Sequence, residues 1–210
     1  PQLIITLDAL INFQPSDTMI DAKHKVNHID INPSGSRFMF LHRWVGPQGR
    51  FMRLITANRD GTELFVVNGD KMTSHSCWVN DSEIISYCNI EGEGNGYFRF
   101  VDRHSDAKLI SEKLPKQDGH PSISPDGKWL LTDTYPDLAR MSYLILYNIE
   151  RNKIIELGRF YQPIKYQGEM RIDLHPKWRA NGRQIFFESG HAGKRQLYYV
   201  DVSKIINEQN

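Results

Sequence analysis

Short apolar runs separated by turn formers recur along the whole chain. Over residues 28–69 the runs are "HIDINP", "RFMFLHRW", "FMRLITAN" and "ELFVVNG", with "NPSGS" and "NRDGT" among the separators. Pro, Asn, Asp and Gly preset φ or tolerate positive φ, which is what tight hairpins require. "SPDGK" and "RANGR" repeat the same turn chemistry further along. None of these stretches carries the period of an amphipathic helix, so the pattern predicts strands joined as meanders.

The meander itself repeats. Residues 28–58, 75–101, 120–149 and 173–203 each open on or near a histidine and place a turn at a similar offset. The leading residues are His28, His75, His120 and His175, at steps of 47, 45 and 55 residues. Short strands repeating at that period are the signature of propeller blades. The expectation is therefore an all-β fold, a β-propeller of four-stranded blades at about 24–70, 74–113, 118–158 and 173–210. The last blade lacks an outer strand. Residues 1–23, where "PQLIITL" is β-compatible, either close the ring or end a preceding blade. The Pro1 start and the blade count together predict a piece of a larger propeller, its open edge covered by further blades or by self-association.

In such a fold the first strand of each blade lines the channel, so residues at its start converge at one mouth. Four imidazoles there suit binding of Mn, Fe, Ni or Zn, and a neutral ring can serve as a base near pH 7.

Composition adds mainly exclusions. With 40% hydrophobic and 24% charged residues the chain is an ordinary globular mixture. A net charge of +1 provides no field for nucleic acid or an anionic membrane. No apolar run reaches the roughly 20 residues of a membrane span, and the start lacks a signal peptide's basic region, so a cytoplasmic location is expected, or a periplasmic one where a signal has been removed. Cys77 and Cys88 have no metal-site spacing and are expected as core thiols. "EGEGNG" lies between strand signals, without the helix a phosphate loop needs. His24, His42 and His104 fall outside the repeated position.

"SPDGKWLLTDT" followed by "YLILYNIE" resembles the WD40-like repeats of TolB and prolyl oligopeptidase propellers. The histidine pattern from His28 onward is similar to that of the oligogalacturonate lyase family. That resemblance implies a divalent metal, Mn first, and β-elimination on an acidic oligosaccharide. It implies His75 as base, Arg53 in "FMRLITANRDG" as the catalytic arginine, and His120 as a metal ligand. In "MRIDLHP", His175 matches a further ligand, Asp173 stands for a family histidine, and Met170 occupies the place of a glutamine.

Expected substrate-binding residues are His28, then Asp133, Tyr135 and Arg140 around "TYPDLAR", and His191, Lys194 and Arg195 in "SGHAGKRQ". Basic loop residues suit acidic sugars. Lys194 and Arg195 read equally as a solvated hairpin tip. Tyr135 and the tryptophans Trp44, Trp78, Trp129 and Trp178 read as core. The alternative function is a noncatalytic TolB-like propeller that binds a protein or glycan. A third is a propeller supporting another domain, although no G-x-S-x-G nucleophile motif is present.

Overall fold

The computed structural model of the chain describes residues 1–69, 72–104 and 106–208. Its strands form four antiparallel sheets, each a meander in chain order. Blade 1 contains β1 (Lys23–Ile31), β2 (Arg37–Gly46), β3 (Gly49–Asn58) and β4 (Phe65–Asn68). Blade 2 contains β5 (Thr73–Trp78), β6 (Glu83–Ile90), β7 (Gly94–Val101) and β8 (Ala107–Leu109). Blade 3 contains β9 (Ser122–Ile123), β10 (Trp129–Asp133), β11 (Met141–Asn148) and β12 (Lys153–Tyr161). Blade 4 is three-stranded, with β13 (Lys177–Trp178), β14 (Gln184–Ser189) and β15 (Gln196–Asp201). The inner strands β1, β5, β9 and β13 are successive neighbours, the arrangement of propeller blades. The expected blade limits at residues 70 and 210 lie outside the described residues.

Alternation along each strand gives the blades two apolar faces, and neighbouring faces pack on each other. Met39, Leu41 and Leu54 of blade 1 meet Trp78, Ile84, Phe98 and Phe100 of blade 2. Cys77, Ile85, Tyr87 and Tyr97 meet Leu130 and Tyr147 of blade 3. Trp129, Leu131, Leu144 and Leu146 meet Ile185, Phe187 and Val202 beside blade 4. Trp44, Trp78 and Trp129 are buried and Trp178 is half-buried against the third of these cores. Both cysteines are free and buried, and burial pushes each thiol up to about 12. Blades 1 and 2 are also tied by Arg37, whose Nε donates to Asp102 at 2.5 Å in a buried pair.

The N-terminal segment corrects the expected strand. Residues Leu7–Asn12 form a helix, α1, capped by Thr6, whose hydroxyl accepts from the Ala9 N–H at 3.0 Å. Asp8 sits in the first turn, where the helix dipole favours a carboxylate. Leu10 is buried against Phe40, Ile55 and Ala57 on the face of blade 1 away from blade 2. Residues 1–6 form no strand, and a cap, an acidic first turn and one buried apolar contact set the helix over the residues that follow. A second short helix, α2 (Ser203–Glu208), follows β15.

Candidate functional site

The four leading histidines do converge. Ring centroids lie 4.9 Å apart for His28 and His75, 4.1 Å for His75 and His120, and 3.8 Å for His120 and His175. Local backbone irregularities aim them. His28 lies in a register shift between Asn27 and Asp30, and His75 in one between Thr73 and Ser76. A bulge turns a side chain out of the strand's regular alternation. His28 and His175 also hold positive φ, at 55° and 44°. That conformation costs energy for a non-glycine residue and is concentrated at functional sites.

Two carboxylates not singled out as orienting groups hold the arc. Asp133 is fully buried; one oxygen accepts from the His120 N–H at 2.7 Å and contacts His120 Nδ1 at 2.8 Å, and the other accepts from the His175 N–H at 3.0 Å. It is thus a positioning residue for two histidines, which corrects its assignment as a substrate contact. Asp118 meets His75 Nδ1 at 3.1 Å and accepts from the Ser74 hydroxyl at 2.6 Å. Burial opposes ionisation of Asp118, but the bond and charge of His75 and the Ser74 hydroxyl outweigh it and hold the carboxyl below its usual range. Gly119 sits between Asp118 and His120; a Cβ there would lie 1.9 Å from the Asp133 carbonyl oxygen, so only glycine allows this approach.

His120, Asp173 and His175 offer ligand atoms within 4.8 Å of one another. With Nδ1 of His120 engaged by Asp133, the tautomer that donates to this carboxylate leaves the Nε2 lone pair for an ion, the usual arrangement behind a metal-bound imidazole. The Asp173 carboxylate is gripped by Arg171, whose Nε and Nη2 donate at 2.6 and 2.9 Å. Met170 is 67% exposed and, as a thioether, a poor ligand for a hard divalent ion. Three donors, with no fourth protein group among the described residues, fit an open site completed by water or ligand oxygen.

Tyr135 flanks the arc, its ring centroid 6.4 Å from that of His75 and 5.9 Å from that of His120. Burial, then the Asp118 charge, push its phenol up to about 12. Arg171 lies over this ring at 4.3 Å.

Arg53 is displaced from its expected role. Its guanidinium is buried and donates to the Leu10 and Phe13 carbonyls at 2.8 Å and to that of Gln14 at 3.0 Å, closing the C-terminal end of α1. Its Nε also donates to His42 Nδ1 at 3.2 Å. A different arginine, Arg43 on β2, is within electrostatic reach of the arc. Its charge acts on His28, and the Asp118 carboxylate acts on it. Its buried Nε has no hydrogen-bond partner among the described residues, and burial lowers its pKa.

The loop candidates separate as well. Arg140 donates to the Gln162 and Tyr166 carbonyls at 3.0 Å and so pins a loop. Arg195 Nε donates to Glu188 at 2.8 Å across the β14–β15 hairpin, and Lys194 is exposed at its tip. His191 Nδ1 contacts the Ser189 hydroxyl at 2.8 Å, and its ring packs on Tyr198 and Phe160. These four residues are corrections: the contacts of Arg140, His191 and Arg195 support blade 3 and blade 4 loops, Lys194 is exposed, and none joins the arc.

Three histidines are biased towards neutrality. Burial first, then His75 and Arg43, lower His28 to about 4. Burial, then Arg53 and His24, lower the buried His42 to about 4, while burial and His120 lower His175. The unfolded chain takes up these protons near 6.5, whereas the folded chain resists them. Stability is therefore complete above about 6.5 and falls as pH drops towards 4, by roughly 2 kcal/mol for His42 after allowing for solvent screening. Thermal melts from pH 7.5 down to 4.5 are expected to show a falling midpoint; a flat profile would contradict this account.

No family model and no curated protein matches the chain. Solved structures do. An oligogalacturonate lyase in complex with manganese superposes with a TM-score of 0.66 at 20% identity, covering 84% of this chain and 48% of its own. A protein described as a "putative TolB" from Agrobacterium tumefaciens gives 0.63 at 18%, covering 86% of this chain and 59% of its own. TolB from Acinetobacter baumannii gives 0.57 at 16%, covering 93% of this chain and 42% of its own. The chain spans about half the length of these structures. The fold is thus the β-propeller of the TolB and oligogalacturonate lyase type, with a histidine arc where its inner strands meet. Among the described residues no helix is long and apolar enough to cross a membrane.

Proposed function

We propose that the histidine arc binds a divalent ion, manganese by preference, and an acidic oligosaccharide, and that it cleaves the latter by β-elimination. The observation that carries the reading is the pairing of His75 with Asp118 beside a three-donor cluster and the buried Nε of Arg43, which has no partner among the described residues. His120, Asp173 and His175 would hold the ion, whose contribution when bound is to draw charge from a uronate carboxylate. Arg43 neutralises the same group from the blade 1 side.

With the carboxylate neutralised, the adjacent C–H becomes acidic. His75, its Nδ1 oriented by Asp118, accepts that proton at Nε2. The C–H electron pair becomes a carbon–carbon double bond, the neighbouring C–O bond breaks, and the departing oxygen takes a proton from solvent. His28 stays neutral in the mouth and adds a hydrogen-bonding group without adding charge.

The test is incubation of the manganese-supplemented chain with oligogalacturonate while following absorbance of the unsaturated uronate. Arg43→Gln is expected to raise KM about tenfold or more, through loss of one charge-assisted contact. An unchanged KM in Arg43→Gln would remove Arg43 from the site. A second reading has its own support: the grip of Arg171 on Asp173 departs from a free ligand set. Binding of oligogalacturonate without any turnover would favour this noncatalytic glycan-binding propeller.

A further inference from the structure

We propose that Arg171 is an exchangeable counter-ion: it occupies Asp173 when the site is metal-free and moves to the carboxylate of the bound sugar when an ion takes Asp173. The inference rests on the ion-site reading above and adds a coupling between the two ligands.

Geometry supports the exchange. Arg171 and Asp173 lie two residues apart, and both guanidinium bonds go to the carboxylate that an ion needs. The Asp173 side chain is 11% exposed while that of Arg171 is 42% exposed, so the carboxylate is fixed in the site and the arginine lies at its rim. A divalent ion and a guanidinium held on the same carboxylate repel each other, and the guanidinium is the group free to leave.

Tyr135 supplies the surface on which it moves. The guanidinium carbon already sits 4.3 Å from the ring centroid, and an aromatic face retains a cation released from its carboxylate. That ring stands edge-on to His75 and His120, so an arginine pivoting on it stays beside the arc. In the metal-free chain Arg171 and Asp173 cancel each other's charge. Once an ion replaces the arginine, the mouth gains a free guanidinium that suits an acidic sugar. Ion and sugar then raise each other's affinity by the same factor, as linkage requires.

The experiment is calorimetric titration of manganese into the full chain, as wild type, Arg171→Gln and Arg171→Lys, each with and without saturating galacturonate. Arg171→Gln is expected to bind manganese about tenfold more tightly than wild type, because the competing charge is gone. It is also expected to lose the gain in manganese affinity that galacturonate gives the wild type. Arg171→Lys, retaining the charge without the bidentate fork, is expected to fall between them. Equal or weaker manganese binding by Arg171→Gln overturns the exchange and leaves the ion site standing. Absence of manganese binding in all three chains overturns the ion site, and the exchange with it.

Discussion

His75→Ala is expected to reduce turnover of oligogalacturonate by roughly a hundred- to ten-thousand-fold, the usual contribution of a positioned general base. Manganese binding should be retained, because His75 is not among the three donors within 4.8 Å of one another. Asp118→Asn should give a smaller loss and preserve the fold: it keeps an acceptor for Ser74 but removes the charge that supports an imidazolium at His75. Steady-state kinetics on the two variants separate the roles. A base is lost outright in the first, and its support is weakened in the second. Full activity in His75→Ala would move the base elsewhere in the arc.

The second large effect is on folding. Asp133→Ala is expected to cost about 3–5 kcal/mol, the penalty for breaking a buried, hydrogen-bonded ionic cluster. Two backbone N–H groups, of His120 and His175, lose their acceptor, and the His120 ring loses the partner that fixes its tautomer. At this chain length the melting midpoint should fall by roughly 10 °C. Asp133→Asn, which keeps one acceptor oxygen, should melt between the two. A midpoint within a degree or two of wild type in Asp133→Ala would show that the arc is held by something else.

The sequence shows the blades and the arc for one reason: a histidine on or just before a blade's inner strand recurs wherever the blade recurs. His28, His75, His120 and His175 therefore stand out as a period. What orients them does not repeat. Asp133 comes from the end of β10 and reaches two histidines 13 and 42 residues away. Asp118 belongs to a connection between blades. Neither spacing recurs along the chain.

The arginine shows how narrow the margin is. In the β2–β3 ladder His42 pairs with Arg53 and Arg43 with Met52. Successive residues of a strand face opposite sides, so Arg53 turns with Phe40 and Ile55 towards α1, while Arg43 turns with Leu41 towards blade 2 and the arc. A resemblance aligned to within a few residues cannot choose between faces that alternate every residue. The N-terminal helix had a legible signal in Thr6 and Asp8, outvoted by the β-branched residues before it.

The proposed ion site consists of His120, Asp173 and His175. Elemental analysis of chelator-free protein after manganese supplementation, wild type beside a His120→Ala, His175→Ala double variant, tests it most directly. Close to one ion per wild-type chain, lost in a double variant that keeps its β-sheet circular dichroism, is the predicted result. No ion in the wild type, or the same content in both, would contradict it.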